Sequence, residues 1–341
     1  MRSEPAKQPV CAAVHVEAPA RLHLGFVDLN GSLGRRFGSL GVTLQGNATA
    51  LRVTPARTLK VTGPGHASSR ALAYAALLTD RLGLPGGLDI EVRRAIPDHA
   101  GLGSGTQMAL AIASALSRLY GLELDTRELA RLTGRGKRSG IGVGAFDSGG
   151  FLLDGGRNGT DQPPPLIVQR DFPESWRILL IFDLGGRGIH GKREVSAFQS
   201  LPVFPDNRAA ELCRLVLMQA LPALAEEDCE RFGSAIGQLQ RVVGDHFTPS
   251  QGGRFASGEV AEVLGWIESQ GIAGVGQSSW GPTGFAFLPG ETAARDLLLK
   301  LRTEFGGRPN LRFETTCARN HGSRIEACAT TAEQSVLRAA M

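Results

Sequence analysis

The stretch Ile96-Pro97-Asp98-His99-Ala100-Gly101-Leu102-Gly103-Ser104-Gly105-Thr106-Gln107 joins a strand-like run to an apolar helix. Upstream, Leu88, Ile90 and Val92 alternate as in a half-buried strand, and downstream Met108, Ile112, Ala115, Leu116 and Leu119 recur at helical spacing. Gly101, Gly103 and Gly105 let the backbone turn tightly and approach a ligand. The unpaired N–H groups of the first helical turn and the helix dipole attract an anion. Ser104 and Thr106 add hydroxyls suited to phosphate or Mg²⁺. The loop is not a P-loop, which reads GxxxxGK[ST]. It is not a dinucleotide fingerprint either, because GLGSGT lacks the third glycine and no acidic residue is fixed about 20 residues on. By itself the loop is open to two readings, a phosphate cradle and a plain structural turn.

The rest of the chain narrows the choice. Its 341 residues suggest two domains, and 42% hydrophobic content is that of a soluble globular protein. No apolar run approaches a membrane span, and MRSEPAKQPVCA at the start lacks the core of a signal peptide, so the expected compartment is the cytoplasm. The five cysteines are scattered without CxxC pairing, which argues against a disulfide framework and a zinc site. A net charge of +4 is mildly basic, but its lysines and arginines are interleaved with acids, so anionic small molecules fit better than nucleic acid.

Residues 1–12 read as a disordered tail, a first domain as 13–195 and a second as 196–341. Val14–Glu17 and Leu51–Val61 read as strands around a loop-dominated, glycine-rich segment from Gly25 to Gly46. Asp125-Thr126-Arg127-Glu128 has the form of a capping box ahead of a short helix. From Asn207 onward the pattern is helical: Phe232, Ile236, Leu239 and Val243 share one face, as do Val260, Val263, Leu264 and Ile267. Strands return at Gly284–Leu288 and Leu311–Thr316 around a helix at Thr292–Phe305, predicting helices on one face of a small sheet.

Three segments line up along the chain: Pro19-Ala20-Arg21-Leu22-His23-Leu24-Gly25, the Gly101–Gln107 loop, and Gly274-Val275-Gly276-Gln277-Ser278-Ser279-Trp280-Gly281-Pro282-Thr283-Gly284. Their order resembles the three motifs of the GHMP kinase superfamily. The resemblance implies an α+β, GHMP kinase-like fold: an N-terminal domain like the second domain of ribosomal protein S5 and a ferredoxin-like C-terminal domain. The details are similar to one branch. Arg21 to Arg35 (RLHLGFVDLNGSLGR), Ser139-Gly140-Ile141-Gly142-Val143 with Phe146-Asp147-Ser148-Gly149-Gly150-Phe151, and Ser278 to Gly284 look like the β-ribofuranosylaminobenzene 5'-phosphate synthases, nearly end to end. That family joins 5-phosphoribosyl 1-diphosphate to the ring of 4-aminobenzoate with loss of CO₂ and pyrophosphate, on the way to (tetrahydro)methanopterin, without consuming ATP. Kinases carry an Asp soon after the Ser-Gly-Ile, where this chain has Gly142, and Trp280 and Pro282 replace a run of glycines in the third motif.

From this resemblance the expected catalytic residues are Asp147, His23 and Asp28, with Ser104 and Asp147 as Mg²⁺ ligands. Substrate contacts are expected from Arg21, Asn30, Arg35 and Arg138, and from Gly101, Gly103, Ser104, Gly105, Thr106 and Gln107 in the loop. His190 and Lys192 would add a substrate loop, and Ser278, Ser279, Trp280 and Thr283 the third motif. Each residue type has a plainer alternative. Asp28 and Asn30 are turn formers, His23 between two leucines is a satisfied core histidine, and Asp147 is a helix or turn cap. Arg135, Lys137 and Arg138 read either as a clamp on a 5'-phosphate or as a solvated basic loop, and Trp280 as a ring platform or a packing plug. The expected partners are the two small-molecule substrates and a second copy of the chain, with no nucleic acid and no membrane. Two other classes stand beside this reading: an ATP-dependent GHMP small-molecule kinase with Asp147 activating a hydroxyl, and a nucleic-acid-binding module suggested only by the S5-like fold and basic charge.

Overall fold

The computed structural model describes residues 7–186, 198–279 and 281–329. Its first sheet is built on two long antiparallel strands, β1 (Ala13–Asp28) and β2 (Phe37–Pro55), with register Val14 opposite Val53 and Asp28 opposite Phe37. β3 (Lys60–Thr62), β4 (Leu88–Arg94), β5 (Phe151–Asp154), β6 (Leu166–Arg170) and the late strand β11 (Arg324–Cys328) complete it. The order is β11-β1-β2-β4-β3, with β5 on the other half of β2 and β6 on β5. Much of the Gly25–Gly46 segment, which reads as loop, is thus paired strand. Gly25 and Gly38 take positive φ there, and a Cβ on Gly41 would lie 2.1 Å from Ile141. These glycines serve close packing.

Helices α1 (Gly65–Leu82) and α2 (Ser104–Leu119) cover one face of this sheet. Ala67, Ala71 and Ala75 are the small residues that face inward on α1, and Ile112, Ala115, Leu116 and Leu119 do so on α2. Each fully buried Leu or Ile among them contributes about 1.5–3 kcal/mol, and each alanine methyl roughly 0.8 kcal/mol. The short helices α3 (Thr126–Leu132) and α4 (Ile141–Asp147) follow, and the capping box forms as expected, Asp125 accepting from Glu128 N–H and Glu128 from Asp125 N–H.

The second sheet has the order β10-β7-β9-β8, from β7 (Arg177–Asp183), β8 (Val275–Gln277), β9 (Thr283–Leu288) and β10 (Leu311–Thr316). It is surrounded by α5 (Asp206–Leu215), a π-turn (Val216–Ala220), α6 (Leu221–Ala225), α7 (Cys229–Gln251), α8 (Gly258–Ser269) and α9 (Glu291–Phe305). Strand alternation in β7 sends Leu179 and Ile181 toward α8 and α9, and Ile178, Leu180 and Phe182 into a core shared with Leu22, Leu24, Phe151, Phe232 and Leu239. Both faces of this sheet are covered, where the sequence pattern suggested one. That shared core also joins the two sheets. The expected boundary at 195 differs from sheet membership: β7 already belongs to the second sheet, and β11 crosses back to the first. The tail is shorter than expected as well, since Val10 N–H bonds Leu119 O and Ala12 N–H bonds Cys328 O. Among the described residues no helix is long and apolar enough to cross a membrane.

Candidate functional site

The hinge between β4 and α2 arrives beside β1 because its glycines allow backbone to touch backbone. Gly101 and Gly103 have φ of +81° and +85°, and Gly103 caps α2 without a side-chain bond. A Cβ on Gly101 would lie 2.2 Å from Ser278 O, and one on Gly281 would lie 2.5 Å from Gly101 Cα. Larger residues at either place would push the two segments apart. Ser278, fully buried, locks the arrangement: its Oγ accepts from His23 N–H at 3.0 Å and donates to Gly101 O at 2.8 Å. Ser278 N–H bonds Thr283 O and Ser279 N–H bonds His23 O, so the three motifs meet at one point. Behind them, Gln240 on α7 donates to Leu24 O and accepts from Gln277 N–H. Gly237 lets the same helix come close, since a Cβ there would meet Ala273 O at 2.1 Å.

Cations surround the start of α2. Arg21 donates to Gly101 O, and its guanidinium carbon lies 3.3 Å from where a Cβ of Gly103 would stand. Arg135 lies over the first turn, with Nη2 3.1 Å from the Cβ position of Gly105, while its guanidinium covers the Tyr74 ring at 5.4 Å and bonds the Tyr74 hydroxyl. Arg70 donates to Asp98 at 2.7 Å and to Ser104 Oγ at 3.2 Å. Burial and the nearby charge of Arg70 both pull the pKa of Arg135 down, the mark of two positive groups held close together. The N–H groups of Ser104 and Gly105, at the helix start, have no intrahelical acceptor. Two like charges beside a positive helix end are relieved by an anion, and the arrangement suits a phosphate or diphosphate.

Arg138 approaches from the segment before α4, over the Phe198 ring at 5.1 Å. His23 lies between this group and the motif backbone. It is 3% exposed, and burial first, then the charges of Arg21 and Arg138, depress its pKa to about 3, so the imidazole is neutral.

Other expected residues stand away from the start of α2. Asp28 Oδ1 accepts from Asn30 N–H and Gly31 N–H, and Asn30 donates to Phe204 O, so both are turn formers at the far end of β1. At about 3.3 Å per residue, Asp28 is roughly 16 Å along the strand from His23. Arg35 is engaged with Gly155 O and Gly156 O. Asp147 is exposed and accepts from Thr126 Oγ1, in a cleft shared with Ser114 and Ser117, which are about 15 and 20 Å down α2 from Ser104. Its carboxylate does not reach the anion cradle. Gln107 turns inward to donate to Gly142 O, and Thr283 is fully buried in β9. Thr106 and Gly142 pack together, a Cβ on Gly142 falling 3.0 Å from Thr106 Cγ2, so an acid at 142 would crowd the loop. His190, Lys192 and Trp280 lie outside the described residues. Arg70 and Tyr74 were missed. They are four apart on α1 and so share a face, the one local signal that could have found them.

The chain matches the family profiles described as GHMP kinases N terminal domain, over residues 69–155, and GHMP kinases C terminal, over residues 220–307. It is 34% identical over 328 residues to a β-ribofuranosylphenol 5'-phosphate synthase of Archaeoglobus fulgidus, covering 92% of this chain and 99% of that one. To the protein of the same name from Methanothermobacter thermautotrophicus it is 32% identical over 301 residues, 82% of this chain and 90% of the relative. Among solved structures, mevalonate diphosphate decarboxylase from Staphylococcus aureus superposes with a TM-score of 0.66 at 17% identity, covering 92% and 98% of the two chains, which shows a shared fold.

Proposed function

This chain belongs to the β-ribofuranosylphenol 5'-phosphate synthase family, within the GHMP kinase superfamily, and on that premise we propose that it transfers phosphoribosyl from 5-phosphoribosyl 1-diphosphate to the ring of 4-aminobenzoate, releasing CO₂ and pyrophosphate, in a step toward (tetrahydro)methanopterin. The observation that supports this most is the start of α2 flanked by Arg21, Arg70 and Arg135. As diphosphate departs, negative charge grows on it and oxocarbenium character grows on the ribose. Helix N–H groups and guanidiniums fixed in advance bind that growing charge more strongly than the ground state. The acceptor must then present the ring carbon that bears its carboxylate to C1, and loss of CO₂ restores aromaticity. Holding both substrates in that geometry is worth up to about 7–11 kcal/mol, and no covalent nucleophile is needed.

Mg²⁺ belongs to the same proposal. Asp98 and Ser104 both bond Arg70 Nη1, which brings a carboxylate and a hydroxyl together beside the cradle. Such hard oxygen donors, completed by substrate phosphates, fit Mg²⁺ better than Asp147 does. When bound, the ion would neutralise diphosphate charge. A homodimer in the cytoplasm completes the reading. Exposed Leu33, Ile167 and Leu217 rim a cavity of about 310 Å³ that a second copy would cover, and no disulfide links the five cysteines.

Incubation with phosphoribosyl diphosphate, Mg²⁺ and either 4-aminobenzoate or 4-hydroxybenzoate tests this, the second acid because the relatives are named for a ribofuranosylphenol. Release of both CO₂ and pyrophosphate is expected. Neither product, together with ATP turnover on a small alcohol, would establish the kinase alternative.

A further inference from the structure

His23 is a nearly fully buried side chain at the point where the three motifs meet, and one of its nitrogens is unused. Gly25 N–H donates to Nδ1 at 3.3 Å. A nitrogen that accepts carries no proton, so in the neutral ring the proton sits on Nε2. Nε2 is buried and has no hydrogen-bond partner among the described residues. An orphan buried donor is costly, about 1–3 kcal/mol, and its persistence is explained if a ligand supplies the acceptor. His23 borders a cavity of about 20 Å³ with Gln240, Phe247, Gln277 and Ser279, room for a single oxygen atom.

The surroundings say what kind of oxygen this is. The charged groups facing His23 are Arg21 on β1, Arg138 from the segment before α4, and Arg254, which follows α7 and lines the same cavity. Arg254 is paired with Asp245. Burial keeps the imidazole neutral, and the positive local potential adds to this and favours a negative oxygen. The ring is held edge-on to Phe26 at 4.7 Å, and its own backbone is pinned through Ser278.

We propose that His23 Nε2–H is a preset, neutral hydrogen-bond donor to one oxygen of a substrate oxyanion, and that it neither gives nor takes a proton during turnover. This rests on the transferase reading for the identity of the oxyanion, a diphosphate or an arene carboxylate. It does not rest on it for the tautomer.

The decisive measurement is ¹⁵N NMR of the histidine rings in the whole chain, with the His23 signals assigned by their loss in His23→Gln. A protonated Nε2 and bare Nδ1 unchanged from pH 5 to 8 are expected. Titration in that range, or a proton on Nδ1, would overturn the proposal. Glutamine places an amide N–H near the position of Nε2, so His23→Gln should keep kcat within about tenfold of the parent while His23→Ala loses a hundredfold or more. Equal losses in the two variants would point to proton transfer and sink the donor role. Calorimetry with inorganic pyrophosphate and with 4-hydroxybenzoate separates the sources: His23→Ala should weaken one of them at least tenfold, and weakening of neither refutes the contact. If the parent protein turns over no phosphoribosyl diphosphate yet shows the fixed tautomer and the calorimetric loss, the transferase reading fails and the donor stands. If turnover proceeds and glutamine does no better than alanine, the reverse holds.

Discussion

Replacing Ser278 by alanine tests whether the three motifs are held together by one hydroxyl. The Oγ is buried and has two partners, His23 N–H at 3.0 Å and Gly101 O at 2.8 Å. Alanine keeps the volume nearly unchanged, so the effect is that of the hydrogen bonds. His23 N–H is left buried without an acceptor, a penalty of about 1–3 kcal/mol. Gly101 O keeps its bond from Arg21, so its loss is that of an ordinary net bond, about 0.5–1.5 kcal/mol. Together these come to about 1.5–4.5 kcal/mol. At roughly 2–4 °C per kcal/mol for domains of this size, the melting temperature should fall by roughly 3–18 °C in scanning calorimetry. Because Gly101 opens the cradle, KM for phosphoribosyl diphosphate should also rise, by at least about fivefold, with a smaller effect on the arene. A melting shift under about 1 °C with unchanged KM would show that the motif contact is not what positions the loop.

Asp147→Asn should leave kcat within about twofold and stability within about 0.5 kcal/mol, because its carboxylate is exposed and, among the described residues, held by Thr126 alone; a tenfold loss of turnover would restore it to the site. Arg135→Ala should raise KM for the phosphosugar by about tenfold, near 1.4 kcal/mol, and Arg135→Lys should rescue only in part, since a lysine lacks the planar fork that lies over Gly105 and Tyr74; full rescue would argue for charge alone. Glu17, whose carboxyl is held below its usual range by hydrogen bonding to Arg319 and by Arg94, stabilises the fold above its unfolded pKa of about 4.3, and that contribution is lost as pH falls through the lower folded value. Glu17→Gln should therefore cost about 1 kcal/mol at neutral pH, discounted because the side chain is a third exposed, and should flatten the acid limb of a stability profile; an unchanged limb would remove the pair from the linkage.

Some of this was legible before any coordinates. The turn of glycines between an alternating strand and a 3.6-periodic helix formed as read, and so did the Asp125 capping box, because both rest on interactions within a few residues. The helical faces around Ile236 and Val263 were legible for the same reason: a periodic apolar stripe states which side will be buried. The glycines from Gly25 to Gly46 misled, since glycine in sequence signals a turn, whereas here it lets β1 and β2 approach Ile141, Leu239 and Asp154 closely. Asp28 and Asn30 obeyed their turn propensity, which was visible all along. Asp147 was expected to be catalytic from the resemblance, whereas helix α4 carries it along α2 to the other end.

The order of three motifs, their glycines and hydroxyls, and the amphipathic periods belong to the chain itself, and they determined the family, the two-sheet fold and the glycine turn that opens α2. Which cations face that hinge was decided only in three dimensions. Arg70 and Tyr74 reach it from α1, Arg135 from beyond α3, and the neutral state of His23 comes from burial beside Arg21 and Arg138. Charge placement and desolvation depend on distances between segments far apart in the chain, and no local pattern carries those distances.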